Sequence, residues 1–235
     1  MGIPQYLAMT EQELLKNSPP PFLACFGCHF SQEGLSKLPQ VLPKGAVLIL
    51  DDRTPLESQS IPEISETLCR FLARCSCRGL LLDFQRPGIL SQKELAAVLS
   101  RDLPCPVAAP PEYAPEGCPV FLPPVPVDCT VENCLAPWQG REIWLDTCLQ
   151  GLRLTLTKAG TTCAPENAPL SGGFYDEVLC CRYTIRETAQ GFLFHLYRDR
   201  GCLQNLLTRA EPLGVTMALG LWQEFGPPEG SCANT

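Results

Sequence analysis

The chain is predicted to be an α/β protein, an irregular (β/α)8 TIM-like barrel with antiparallel hairpins at about residues 150–198. Three observations predict this. Short, continuously apolar runs such as 46–50 (AVLIL) and 79–82 (GLLL) alternate with helical segments, the pattern of parallel strands covered on both faces. About eight such strand candidates span the chain, and the last repeats the style of the first, which favours a closed barrel over an open doubly wound sheet. Finally, the 150–198 stretch abandons this rhythm for strict alternation, as in Arg153-Leu154-Thr155-Leu156-Thr157. The expected organisation is a single domain over residues 1–235, with 1–20 as an N-terminal extension.

In chain order, residues 1–20 are a short amphipathic piece ending in Ser18-Pro19-Pro20-Pro21, which cannot continue a helix. Residues 22–28 read as the first buried strand and 46–50 as the second, which runs into Asp51-Asp52-Arg53. Ile64, Leu68, Phe71 and Leu72 recur at helical spacing. Residues 79–82 form the third strand, ending in Asp83-Phe84-Gln85-Arg86, and 93–99 is again helical behind a Ser91 suited to capping. Short strands follow at 106–109 and 119–122, then a brief helix at 131–135 and a strand at 142–145. After the hairpins, 202–210 resumes a helix that Gly214 closes, and 215–222 is a last buried strand.

Of the 235 residues 45% are hydrophobic, enough to bury a core of real size. The net charge of −7 removes the broad positive face that phosphate contacts need, so neither nucleic acid nor an anionic membrane surface is an expected partner. The first residues lack a basic and apolar leader, and no apolar run approaches the ~18 residues of a membrane span, so the expected location is the cytoplasm. There the fifteen cysteines read as reduced thiols in the core. Cys25-Phe26-Gly27-Cys28-His29 fits a haem-attachment pattern, but that attachment happens outside the cytoplasm. Zinc held by Cys25, Cys28, Cys75 and Cys77 would lack a second Cys-x-x-Cys. No nucleotide-binding loop occurs, and no cofactor or resident metal is expected.

In parallel α/β folds the loops after the strands form the active face. Those positions hold His29; Asp51, Asp52 and Arg53; Asp83, Gln85 and Arg86; Glu112; Asp146; and Trp222, Gln223 and Glu224. Single acids at such places commonly cap helices or pair with a neighbouring Arg. Their recurrence at strand after strand is what points to a site. Carboxyls with one Trp suit carbohydrate chemistry, where acids protonate, attack or bind hydroxyls and an aromatic face stacks on a sugar ring. The ligand expected is a small molecule or oligosaccharide, with Asp83, Asp146, Glu224 and Glu112 as candidate catalytic groups. A metal-assisted hydrolase using Asp51, Asp52 and Asp83 is an alternative, as is a non-catalytic protein-interaction barrel. The oligomeric state stays open.

Gly79-Leu80-Leu81-Leu82-Asp83-Phe84-Gln85 resembles the strand-four segment of chitinase-like hydrolases of glycoside hydrolase family 18. That family's motif ends in an Asp, an aromatic residue and a catalytic Glu. Asp83 and Phe84 match, and Gln85 stands where the acid would be. Trp144-Leu145-Asp146 looks like the family's late Tyr-Asp pair, and Trp222 like its strand-eight Trp. The resemblance covers under a tenth of the chain. It implies a barrel that binds a glycan, either without cleaving it or by using another acid such as Glu112 or Glu224, because a neutral amide cannot protonate a glycosidic oxygen. The chain as a whole resembles uncharacterised proteins of gut Firmicutes, which implies no function.

Overall fold

The computed structural model describes residues 2–31, 34–36, 38–40, 42–54, 56, 60–166 and 172–226. In chain order its elements are β1 (Gln5–Thr10), α1 (Glu11–Lys16), β2 (Leu23–Ser31), β3 (Gly34–Leu35), β4 (Val47–Asp51), α2 (Ile61–Cys75), β5 (Gly79–Asp83) and α3 (Leu90–Asp102). These are followed by β6 (Val107–Ala108), β7 (Val120–Leu122), α4 (Val131–Leu135), β8 (Ile143–Thr147), β9 (Gly151–Thr157) and β10 (Gly160–Pro165). The last are β11 (Phe174–Asp176), β12 (Cys181–Thr188), β13 (Gly191–Tyr197), α5 (Arg200–Ala210), β14 (Val215–Leu221) and α6 (Trp222–Phe225). The described residues fall into two compact units. One comprises Pro4–Leu122, Arg141–Asp146 and the part of the chain from Thr216; the other comprises residues 2–3, Pro123–Gly140 and Thr147–Val215.

The first unit is a nearly closed parallel barrel. Its strands run in the order β6-β5-β4-β2-β1-β14-β8-β7, and a parallel bridge between Ala109 and Val120 links the two ends. There the Phe121 N–H donates to the Ala109 carbonyl at 2.8 Å. The lumen is filled by alternate residues of successive strands, among them Tyr6, Ala24, Ile49, Leu81, Trp144 and Met217. The residues between them face outward. Leu48, Leu50, Leu80 and Leu82 pack against Ile61, Ile64, Leu68 and Phe71 of α2 and Leu95 and Leu99 of α3. Each such side chain, once fully buried, contributes about 1.5–3 kcal/mol, and this double burial is why β4 and β5 are continuously apolar.

The N-terminus differs from the sequence expectation. Residues 5–10 are the first barrel strand and not an extension: β1 pairs in parallel with β14 on one side and β2 on the other. Six residues of mixed pattern flanked by a helix are too short for periodicity to identify. Thr10 ends the strand and caps α1, its hydroxyl accepting from the Glu13 N–H at 3.3 Å while the Glu13 carboxylate accepts from the Thr10 N–H at 2.7 Å. The strand at Gly79–Asp83 is therefore the fourth of the barrel. Ser91 lies inside α3 instead of capping it, and its hydroxyl donates to the Leu56 carbonyl at 3.0 Å.

The second unit holds a five-stranded antiparallel sheet, order β10-β9-β13-β12-β11, where the hairpins were expected. Just past the end of β13, Arg198, 2% exposed, donates to the carbonyls of Val125, Pro126, Leu179 and Cys180. Carbonyl dipoles satisfy the fork of donors on this guanidinium. Among the described residues of the chain, no helix is long and apolar enough to cross a membrane.

Trp144 fixes one feature of the barrel's lower half. A Cβ at Gly79 would lie 2.5 Å from the Trp144 ring and 3.0 Å from the Pro106 carbonyl. Gly79→Ala is expected to cost about 1–3 kcal/mol by overpacking, and Trp144→Phe in the same chain should return part of it. Urea denaturation of the two single variants and the double variant tests this. Simple additivity would show that the contact does not decide the residue.

Candidate functional site at the barrel mouth

Parallel register builds the site. His29 of β2 lies opposite Asp51 of β4, and Asp51 lies opposite Asp83 of β5. Val47 and Ile49 line the lumen, so by the two-residue pleat Asp51 faces the same way. Leu81 places Asp83 likewise, and Trp144 does the same for Asp146. A shift of register between Phe26 and Cys28 brings His29 into this row. Strands β4 and β8 are four places apart around the ring, so Asp146 faces Asp51 across the mouth.

The carboxylates do different work. Asp51 accepts from the Arg53 N–H at 3.2 Å and pairs with its Nε at 3.0 Å; Arg53 is 68% exposed, so the pair adds little to stability. Asp52 turns away from the lumen and is 3% exposed. Its carboxylate accepts from the N–H groups of Gln85 and Arg86 at 3.1 and 3.0 Å and from Gln92 Nε2 at 3.0 Å. It thus shapes the loop after β5. Three donors leave it poorly placed to serve the metal site in which Asp51, Asp52 and Asp83 were to join. Among the described residues, no group of three or more His, Cys, Asp or Glu side chains is arranged to hold an ion.

Gln85 donates its amide Nε2 hydrogen to Asp83 Oδ1. Burial raises the Asp83 pKa above its ordinary value; the Gln85 hydrogen bond opposes this, and the nearby Asp51 and Asp52 charges add to it. Phe84, between them, points the other way and is packed between Phe30 and Tyr113 at ring distances of 5.8 and 5.4 Å. Above it the Tyr113 hydroxyl donates to the Arg86 carbonyl and accepts from the Ile89 N–H at 3.2 Å. Glu112 accepts from the Gly88 N–H at 2.9 Å, and Arg86 Nη2 donates to the Arg53 carbonyl at 2.6 Å. Loop and acids form one connected scaffold.

The remaining candidates come from the far side of the ring. Trp222 opens α6 half-buried and packs against the outer core, not the lumen residues. Gln223 donates to Glu13 of α1, and Glu224 is half-buried on the same short helix. Sequence reasoning missed Glu13, because β1 was not recognised, and Tyr113, because an aromatic in a Pro-rich loop has no periodic signal. The Cys-x-x-Cys pair is core: Cys28 lies against the Ile49 carbonyl with its Sγ at 3.9 Å. Burial, with the charge of Glu11, pushes the Cys25 thiol up to about 11, and burial pushes Cys28 up as well, so neither is an available thiolate.

The fold has known counterparts. The Bacillus cereus spore cortex-lytic enzyme SleL superposes with a TM-score of 0.56 at 10% identity, covering 96% of this chain and 71% of that one. A substituted Cycas revoluta GH18 chitinase, solved with (GlcNAc)4, superposes with a TM-score of 0.56 at 10% identity over 92% of this chain and 94% of its own. This chain has the barrel fold of the glycoside hydrolase family 18 chitinase-like proteins. Human YKL-39, a pseudo-chitinase with retained chitooligosaccharide binding, shares that fold with a TM-score of 0.50 at 11% identity, over 93% and 92% of the two chains. No family model and no curated protein matches the sequence. The segment that resembles the family's strand four is strand four of this barrel.

Two predictions follow from this geometry. Asp52→Ala strands three donors beneath the loop and should cost about 3 kcal/mol in denaturant unfolding; a loss under about 0.5 kcal/mol would show that the loop holds itself. Because folding raises the Asp83 pKa, the folded chain binds more protons than the unfolded one just above the ordinary carboxylate value, and stability contributed by this group falls as pH rises through that window. Asp83→Asn should therefore be more favourable, relative to the parent, at about pH 7 than at about pH 3. Denaturation at both values tests it, and an unchanged difference would refute the raised pKa.

Proposed function

We propose that the chain is a carbohydrate-binding, glycoside hydrolase-like barrel that holds an oligosaccharide at its mouth without hydrolysing it. One observation carries the reading. In the strand-four segment that resembles family 18, Gln85 stands where the family's acid would be, and in this barrel its amide is bonded to Asp83. An amide can donate a hydrogen bond to a glycosidic oxygen but has no acidic proton to give, so departure of the leaving group is unassisted. The site can orient a sugar and cannot perform the family's usual first step. Asp51, Asp83 and Asp146 supply acceptors for hydroxyls, and His29, Arg53 and Arg86 supply donors.

Chito-oligosaccharides are the first ligands to try, since the Cycas chitinase was solved with (GlcNAc)4 and the human pseudo-chitinase retains chitooligosaccharide binding. We also retain the cytoplasm as the compartment: the cysteines of the described residues are free thiols, several of them in the core, as suits a reducing environment.

The experiment is a thermal-shift panel of chito-, gluco- and muro-oligosaccharides and divalent metals on chelator-treated protein, with reducing-end release measured in parallel. A glycan at a hundred times its dissociation constant should add about 2.7 kcal/mol. The shift should vanish in Asp83→Asn and persist in Gln85→Glu, and the parent chain should release no reducing ends. Release by the parent would place the acid elsewhere, with Glu112→Gln and Glu224→Gln separating the candidates. A shift with metal alone would favour the metal-assisted reading instead.

A further inference from the structure

The antiparallel sheet sorts its residues sharply. Register places Phe192 opposite Leu156, Phe194 opposite Leu154 and Ile185 opposite Phe194, so β9, β13 and β12 present these side chains on one face. Phe174 of β11 joins them through Tyr183, its register partner, with rings 5.7 Å apart. The cations of the same strands, Arg153, Arg182 and Arg186 with His195, alternate onto the opposite face. Among the described strand residues, the charges on the apolar side are Glu187 at one end of β12 and Asp176 at the end of β11, whose carboxylate accepts from the Val178 and Leu179 N–H groups.

A face of this composition is ordinarily covered. Here it is open: Phe174 is 67% exposed, Ile185 49%, Phe192 45% and Leu156 41%. With aromatic side chains offering about 150–250 Å² each, these four leave about 400 Å² of apolar surface in water. The partly exposed neighbours on the same face bring this to about 600 Å². Two such faces together would remove about 1,200 Å², the lower end of the range for specific interfaces.

We propose that this face is the interface of a homodimer, in which the sheets of two copies pack apolar face to apolar face about a two-fold axis. The face carries charge only at its margins, at Glu187 and at Asp176, whose carboxylate is bonded to its own turn. It therefore has little with which to select an oppositely charged partner, and under two-fold symmetry a central Leu, Ile and Phe surface is its own complement. Twisted sheets stack in this way about 10 Å apart with strands roughly 30° from parallel. An interface of this size and chemistry gives a reversible, concentration-dependent dimer.

Sedimentation velocity of the full chain across about 1–300 µM tests this directly, the dimer being expected to form within that range. Phe192→Arg and, separately, Leu156→Lys place a charge inside the interface and should raise the dimer dissociation constant at least about 100-fold. Both positions are already exposed, so circular dichroism and melting temperature should stay at the monomer's values, and two variants on different strands guard against one failing to fold. A parent chain that remains monomeric at every concentration overturns the proposal. So does a dimer that both variants leave intact, since it must use another surface, and so does protection of Ile185 and Phe192 that appears only with a chito-oligosaccharide, which would make the face a ligand surface.

Discussion

A sheet that closes on itself has one inside, and each strand can fill it with only every second residue. Most of what is distinctive here descends from that constraint. Tyr6, Ile49, Leu81 and Trp144 occupy the lumen because their pleat positions leave them nowhere else to go. Two residues past Ile49, Leu81 and Trp144, where the lumen opens to water, the same strands carry Asp51, Asp83 and Asp146. The apolar plug and the acid ring are one pattern continued past the edge of the core.

The same geometry assigns opposite roles to adjacent residues. Asp51 faces the mouth and Asp52 faces the loop, where it gathers the donors of Gln85, Arg86 and Gln92. Phe84 anchors the loop between two rings, leaving Asp83 and Gln85 on the opposite side. Asp52 is thereby committed to structure, while Asp83 and the Gln85 amide are hydrogen-bonded to each other on the side that faces away from Phe84.

The antiparallel unit obeys a different rule. Its strands alternate apolar and polar, so its sheet has one apolar and one charged face, and beside it lies a buried cation: Arg198 is enclosed among carbonyls. Nothing in the sequence distinguishes this Arg from the exposed Arg186 twelve residues earlier. Only the convergence of Val125, Pro126, Leu179 and Cys180 on one point makes it a core residue.

By itself the sequence determined the class of fold, the positions of most strands and helices, the antiparallel interruption and the list of residues at the strand ends, because these depend on local periodicity and on burial of both faces of a parallel sheet. It also marked Gln85 as the departure from the family pattern. The tertiary structure decided what locality cannot reach. It made residues 5–10 a barrel strand, since a short strand of mixed pattern is defined by its two neighbours and not by its own residues. It separated Asp52 from Asp51 and Trp222 from the lumen, since direction depends on which side of a closed wall a side chain emerges. And it put His29, Asp51 and Asp83 in one row, because register between strands more than twenty residues apart is set by packing across the whole ring.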